Sequence, residues 1–314
     1  MKRPIRLSRS IYKKLKPISI LDRKKGFKPA NIEDPFKKNS LPIINKHRTT
    51  KSKIVQPHRK RSKVRDPEQY KLTKKFEYSK IIIYTSIYGN YDKLKEQPKF
   101  ENVEYVCFTD NPLLVHPTWK IIHNNKIMIG RPDVYKAKYF KMKSHELFPD
   151  ADYTIFIDAS IQIRHNNFIQ ILLNYLGEHD YGIYIHPKRG CIYQEHKILL
   201  KSKSQKMKKI LPIINKQLEH YGKEGIPQNF GLWACGILIR KNTEYNKKIN
   251  ELWWEEILKW SYRDQLSLPY ILWKNNLSID TIRLNQYADQ LFKIHVHSST
   301  GWVSVRSVRR RRTI

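Results

Sequence analysis

The chain has 314 residues, 40% hydrophobic and 12% aromatic, with a formal charge of +33. That is enough for one large α/β domain or two small ones with a sizeable core. Three cysteines without CxxC spacing exclude a disulfide scaffold, and no apolar run approaches the ~18 residues of a membrane span.

The charge is uneven. Residues 1–80 hold 26 Lys or Arg against 6 Asp or Glu, residues 301–314 add 5 Arg, and residues 81–300 hold 30 against 22. Residues 1–79 therefore read as a basic arm punctuated by seven prolines from Pro4 to Pro67, and residues 301–314 as a basic tail. Such extensions suit an anionic membrane surface, a nucleic acid, or simple solubilisation. The N-terminus lacks an apolar signal-peptide core, so a cytoplasmic site, or a peripheral one on the cytoplasmic face of a membrane, is expected.

The folded domain is expected over residues 80–300. Ile81 to Ile87 reads as a buried strand running into a loop, Tyr88 to Asp92, whose Gly89 permits a tight turn. Val103 to Phe108 is a second strand, followed by Asp110, and Trp119 to Ile122 a third. Pro132 and Asp133 open a helix expected to reach Leu147, with Arg131, Lys136, Lys138 and Lys141 gathered about its first half. Tyr153 to Ile157 is the next strand, and it ends on a carboxylate. Asp158 is followed by Ala159 and Ser160 and then by an apolar alternation at Ile161 and Ile163. A charge closing a buried strand suits the crevice at the carboxyl ends of an open α/β sheet, although a turn-capping role also explains it.

Farther on, Phe168 to Leu176 reads as a short helix and Tyr181 to Ile185 as a strand. The stretch at 186–196 is rich in groups that bind anions or sugars, among them His186, Lys188, Arg189 and Glu195. Lys197 to Tyr221 is expected to be helical, continuous or interrupted at Pro212. After a Gly- and Pro-containing loop and another strand, Thr243 caps a helix to about Trp260. Ser261 to Asp264 looks like a capping box opening a helix to Trp273. Leu291 to His297 alternates apolar and polar residues. No GxGxxG, GxSxG, GxxxxGK or HExxH motif occurs.

Seven blocks carry a resemblance: YTSIYGNYDKLKE at 84–96, YVCFTDNP at 105–112, RPDVYKAKYFKMKSHELFPD at 131–150, YTIFIDASIQI at 153–163, HPKRGCIYQE at 186–195, GIPQNFGLWACGILIR at 225–240 and RDQLSLPYILWK at 263–274. In these the chain resembles the glycosyltransferase-like family typified by plant proteins of mucilage and pollen-tube biology, itself similar to nucleotide-sugar transferases of the A-type (GT-A) fold. The resemblance implies a GT-A-like α/β domain with a mixed, mostly parallel sheet. It also implies a nucleotide-sugar donor such as a UDP-sugar and a hydroxyl acceptor on a glycan or glycoconjugate.

The resemblance also assigns candidate roles. Asp158 would meet the donor diphosphate or hold Mn²⁺ or Mg²⁺, completed by His295 or His297, yet Ser160 stands where such motifs carry a second acid. Arg131, Lys136 and Lys138 would stabilise the departing diphosphate, and His186, Lys188 and Arg189 would form a second cationic wall. Tyr88, Gly89 and Asp110 would receive base and ribose. Asp264 is the leading general base and Glu195 its competitor. An inverting and a retaining course remain open, as do a non-enzymatic anionic-polymer binder and an α/β hydrolase or nucleotidyltransferase.

Overall fold

A computed structural model describes residues 80–284, 286 and 290–296. The basic arm at 1–79, the tail at 301–314 and His297 lie outside them. Among the described residues are nine strands and seven helices: β1 (Ile81–Ile87), β2 (Val103–Thr109), β3 (Lys120–His123), α1 (Asp133–Met142), α2 (Ser144–Leu147), β4 (Tyr153–Ile157), β5 (Ile161–Ile163), α3 (Phe168–Asn174), β6 (Tyr181–Ile185), α4 (Ile192–Leu200), α5 (Gln205–Glu224), β7 (Trp233–Lys241), α6 (Glu244–Lys259), α7 (Asp264–Lys274), β8 (Asp280–Ile282) and β9 (Phe292–Ile294).

Seven strands form one mixed, mostly parallel sheet in the order β3-β2-β1-β4-β7-β6-β8, in which β7 alone runs against both neighbours. β5 and β9 pair separately and antiparallel. This α/β architecture is consistent with a GT-A-like single domain.

β1 and β4 are apolar at nearly every position because both faces of the sheet are covered. Ile82, Tyr84 and Phe156 turn to one side, where they meet Phe140, Ile214, Trp253 and Leu268 from the helices. Ile81, Ile83, Ile155 and Ile157 turn to the other, against Phe168 and Leu172 of α3 and Ile161 and Phe292 of the small sheet. Cys107, Cys191 and Cys235 are free and buried, as their apolar surroundings suggest.

Three local expectations change. The helix read as continuous from 133 to 147 breaks at Lys143, where φ is −94° and ψ 34°. The Lys141 carbonyl, which a continuing helix would offer to residue 145, instead accepts from the Tyr84 hydroxyl (3.0 Å) and the Arg240 guanidinium (2.9 Å). The basic stretch from Lys197 is divided between α4 and α5. α5 runs through Pro212 and ends at Gly225 in the left-handed region, φ 94°.

Ser261 does not cap α7. Its hydroxyl donates to Gln217 Oε1 (2.7 Å), Arg263 takes the N-cap position without a side-chain bond, and Asp264 is the first helical residue. Thr243 does cap α6, its hydroxyl oxygen accepting from the Asn246 amide.

Trp253 anchors α6 to α7. It is fully buried, and its indole N–H is shared by the Asp264 carbonyl and the Ser267 hydroxyl, both at 3.1 Å. Trp253→Ala is therefore expected to cost about 3–5 kcal/mol, read as a lowered urea midpoint; an unchanged midpoint would contradict this packing.

Candidate functional site

The carboxyl ends of the parallel strands β1, β2 and β4 form one edge of the sheet, where open α/β sheets receive ligands. Asp158 stands there, directly after β4. Its amide donates to the Gly236 carbonyl (2.9 Å) and its carbonyl accepts from Ile161 (2.8 Å), which turns the chain from β4 into β5. The side chain keeps 45% of its surface in solvent. Gly236 of β7 makes room for it: a Cβ there would lie 3.2 Å from Asp158 Oδ2 and 2.6 Å from Gln286 Nε2.

Behind Asp158 lies a buried charge cluster. Lys141 Nζ is 3.7 Å from Asp158 Oδ1 and 2.8 Å from Asp264 Oδ2, and Lys138 makes a close ion pair with the same Asp264 oxygen. The two lysines share a helix face because they are three residues apart in α1. Burial works to raise the Asp264 carboxyl, but Lys138 and then Lys141 outweigh it and hold it well below the usual carboxylate range.

The lysines respond differently. Burial leaves Lys138 below its ordinary value despite Asp264, whereas for Lys141 the pull of Asp264 and Asp158 outweighs burial and raises it. We take the carboxylate as ionised and both lysines as its counter-charges; of the two, Lys141 is also within ion-pair distance of Asp158.

A second cluster adjoins the first through the chain itself, because Arg263 precedes Asp264. Glu195, buried in α4, accepts from Arg263 Nη2 (2.9 Å) and pairs closely with Arg189 Nε. Arg189 Nη2 lies 2.7 Å from His186 Nε2. His186 Nδ1 faces the amides of Lys188 (3.2 Å) and Arg189 (3.1 Å). Burial, with Arg189 beside it, pushes the imidazole down to about 4.

The remaining predicted residues among those described lie apart from these clusters. The Gly89 amide donates to the Asp110 carboxylate (3.1 and 3.2 Å), and the glycine has φ 65°; a Cβ there would strike Asp133, the residue that pairs with Lys136 (2.8 Å). Tyr88 is a core residue, stacked on Phe140 with its hydroxyl donating to the Asn124 carbonyl. Ser160 is buried, and its carbonyl accepts from the His295 amide (2.8 Å). The His295 ring turns to Gln162, with Nε2 3.0 Å from Oε1. Arg131 is exposed.

The structure thus unites Asp158, Lys138 and Asp264 in one cluster, and Glu195, Arg189 and His186 in its neighbour. Lys141, Arg263 and Gly236 are the residues that sequence reading left without a site role. Two of them had a signal: Lys141 lies one turn from Lys138, and Arg263 adjoins Asp264.

The residues around Asp158 suit a dication poorly. Mg²⁺ and Mn²⁺ favour several oxygen ligands, but Asp158 faces an ammonium and Ser160 replaces the second acid. Among the described residues, the group of His, Cys, Asp or Glu side chains close enough to hold an ion is His145, Glu146 and Glu251. Lys143 already lies within it, 3.1 Å from Glu146 and in close contact with Glu251.

Fold and site together describe an α/β protein, consistent with a GT-A-like single domain, with a cluster of charged side chains at the carboxyl edge of its sheet. The chain belongs to the family described as TOD1/MUCI70, glycosyltransferase-like domain, which it matches over residues 56–299. A search of curated proteins finds no match. Among the described residues, no helix is long and apolar enough to cross a membrane.

Two pH dependences follow from the buried groups. His186 has a folded-state pKa below its unfolded value of ~6.5, so the unfolded chain binds protons first and stability falls as pH drops from ~6.5 towards about 4. His186→Asn is expected to flatten this slope in urea titrations; a slope identical to wild type would contradict it.

Asp264, also depressed, contributes stability that is present above its unfolded pKa of ~3.9 and lost as pH falls below it. Asp264→Asn, which strands two buried ammoniums, is expected to cost about 3–5 kcal/mol near neutrality. Its deficit against wild type should shrink below pH ~4, and a pH-independent deficit would contradict the ion pairing.

Proposed function

We propose that the protein is a glycosyltransferase that moves a sugar from a nucleoside-diphosphate donor, a UDP-sugar on the family resemblance, to a hydroxyl of a glycan or glycoconjugate. The observation that supports this reading best is Asp158: a half-exposed carboxylate at the carboxyl end of the central strand, backed by a buried ammonium at 3.7 Å. It lies within a chain of the glycosyltransferase-like family.

In the proposed reaction the acceptor oxygen forms a bond to the anomeric carbon as the bond from that carbon to the diphosphate oxygen breaks. The bonding pair leaves with the nucleoside diphosphate, and the hydroxyl proton is released. Negative charge thus grows on the leaving group, where preorganised cations lower the barrier. Lys141 and Lys138 supply that field from the sheet edge.

The three carboxylates take different parts. Asp264 is pinned by two ammoniums and held strongly acidic, which suits a structural counter-charge and disfavours a general base. Glu195 is pinned between two guanidiniums and acts by positioning them. Asp158, with the solvent-facing carboxylate, is the one presented to the reacting groups.

The test is a panel of nucleotide sugars, scored for sugar incorporation together with nucleoside diphosphate release. Asp158→Asn is expected to leave the melting curve unchanged and to lower transfer on the order of 10²-fold. Wild-type turnover by the folded variant would overturn the role of Asp158. Release of a nucleoside monophosphate or pyrophosphate in place of the diphosphate would move the reading to nucleotidyl chemistry.

A further inference from the structure

The charged groups at the sheet edge form a continuous row. Asp158 contacts Lys141, Lys141 and Lys138 contact Asp264, Arg263 directly precedes Asp264 in the chain, and Glu195 joins Arg263 to Arg189. Four cations face three carboxylates, so the row keeps one positive charge beyond its internal pairing. Lys141 is its buried centre, with 4% of its side chain in solvent. The arginines form its open end, with 27% of the Arg263 side chain and 21% of the Arg189 side chain in solvent.

The arginines are held as ligand-binding arginines need to be held. A guanidinium carries five donors in a rigid plane; Arg263 meets Glu195 and Gln265 through Nη2, and Arg189 meets Glu195 through Nε and His186 through Nη2, so Nη1 of each arginine lies outside these contacts. Glu195 is buried and lies between them, fixing both planes from beneath. Surface arginines without such a clamp would lose side-chain entropy on meeting a ligand; these two have already lost much of it.

Arg263 is linked to Asp158 through its neighbour Asp264 and Lys141, whose ammonium lies 2.8 Å from Asp264 and 3.7 Å from Asp158. Tyr91 is half-exposed, and its phenol feels burial first, then Asp92 and Asp158, which raise it, and Arg263, which lowers it. Asp158 and Arg263 are therefore both within electrostatic reach of one hydroxyl. The Lys206 ammonium lies over the same ring at 5.1 Å, adding a further cation to that side.

We propose that Arg263 and Arg189, clamped by Glu195 and backed by Lys141, bind the diphosphate of the donor and perform the charge neutralisation that a dication performs in related folds. This rests on the glycosyltransferase reading. Its warrant is the mismatch already described: a lone Asp158 beside an ammonium is a poor dication site, whereas a guanidinium pair matches phosphate oxygens in both geometry and charge. Arg263 and Arg189 are then donor-binding residues, and Glu195 is a positioning residue.

The experiment measures binding of UDP, GDP, ADP and CDP to the full chain by calorimetry, in EDTA and in Mn²⁺, with the matching monophosphate as control. The expected result is a diphosphate Kd in EDTA within about threefold of that in Mn²⁺. Arg263→Gln should weaken the diphosphate by at least about tenfold in EDTA and the monophosphate much less. Arg263→Lys, which keeps the charge and loses the planar fork, should fall between.

Diphosphate binding that appears only with Mn²⁺ would overturn the proposal and leave the glycosyltransferase reading standing. So would an unchanged Kd in folded Arg263→Gln. If that variant does not fold, the wild-type EDTA comparison and Arg189→Gln carry the same decision. Failure of every nucleotide to bind in either condition would overturn the glycosyltransferase reading itself, and this inference with it.

Discussion

The Asp264 carboxylate, shared by Lys138 and Lys141, is the constraint on which the site depends. It joins α7 to α1 across more than 120 residues of sequence and does so where the groups are shielded from water. Buried charges of this kind are tolerated only when each has its partner, so the two helices have little freedom to slide. The same interaction aims Lys141 at Asp158. The backbone of that lysine is fixed from the other side, where Tyr84 and Arg240 hold its carbonyl and open the helix. Trp253 holds the Asp264 carbonyl in turn, so the ion pair is tied to the core by three buried side chains.

Those ties explain which parts of the architecture were legible in the sequence. β1 and β4 stand out because a strand covered on both faces is dominated by apolar residues, and β4 lies directly between Asp152 and Asp158. The cap at Thr243 is equally local. The break at Lys143 is not, because it is made by Tyr84 and Arg240, far away in the chain. The capping box at Ser261 fails for the same reason. Ser261 finds Gln217, and Asp264 finds two lysines, partners that no local pattern displays. β8, with three residues, is too short to leave a periodic signal.

The site was legible in its members more than in its grouping. Asp158 was conspicuous as a charge at the end of a buried strand, and Asp264, Glu195, Lys138 and Arg189 were all named from their blocks. Their division into an Asp264 cluster and a Glu195 cluster depends on side-chain reach across the fold, which the order of blocks does not encode. It also changes their chemistry. The two candidate bases are buried and ion-paired, Asp264 with two lysines and Glu195 with two arginines, whereas Asp158 and the two arginines keep part of their side chains in solvent. Tyr88 shows the opposite case: an aromatic beside a glycine loop that packs into the core.

The most direct measurement is a crystal structure of the protein with a bound nucleoside diphosphate. The glycosyltransferase account requires the diphosphate at the carboxyl edge of the sheet, between Asp158 after β4 and Arg263 before α7. A nucleotide bound elsewhere, with these residues unaltered and unliganded, would contradict it.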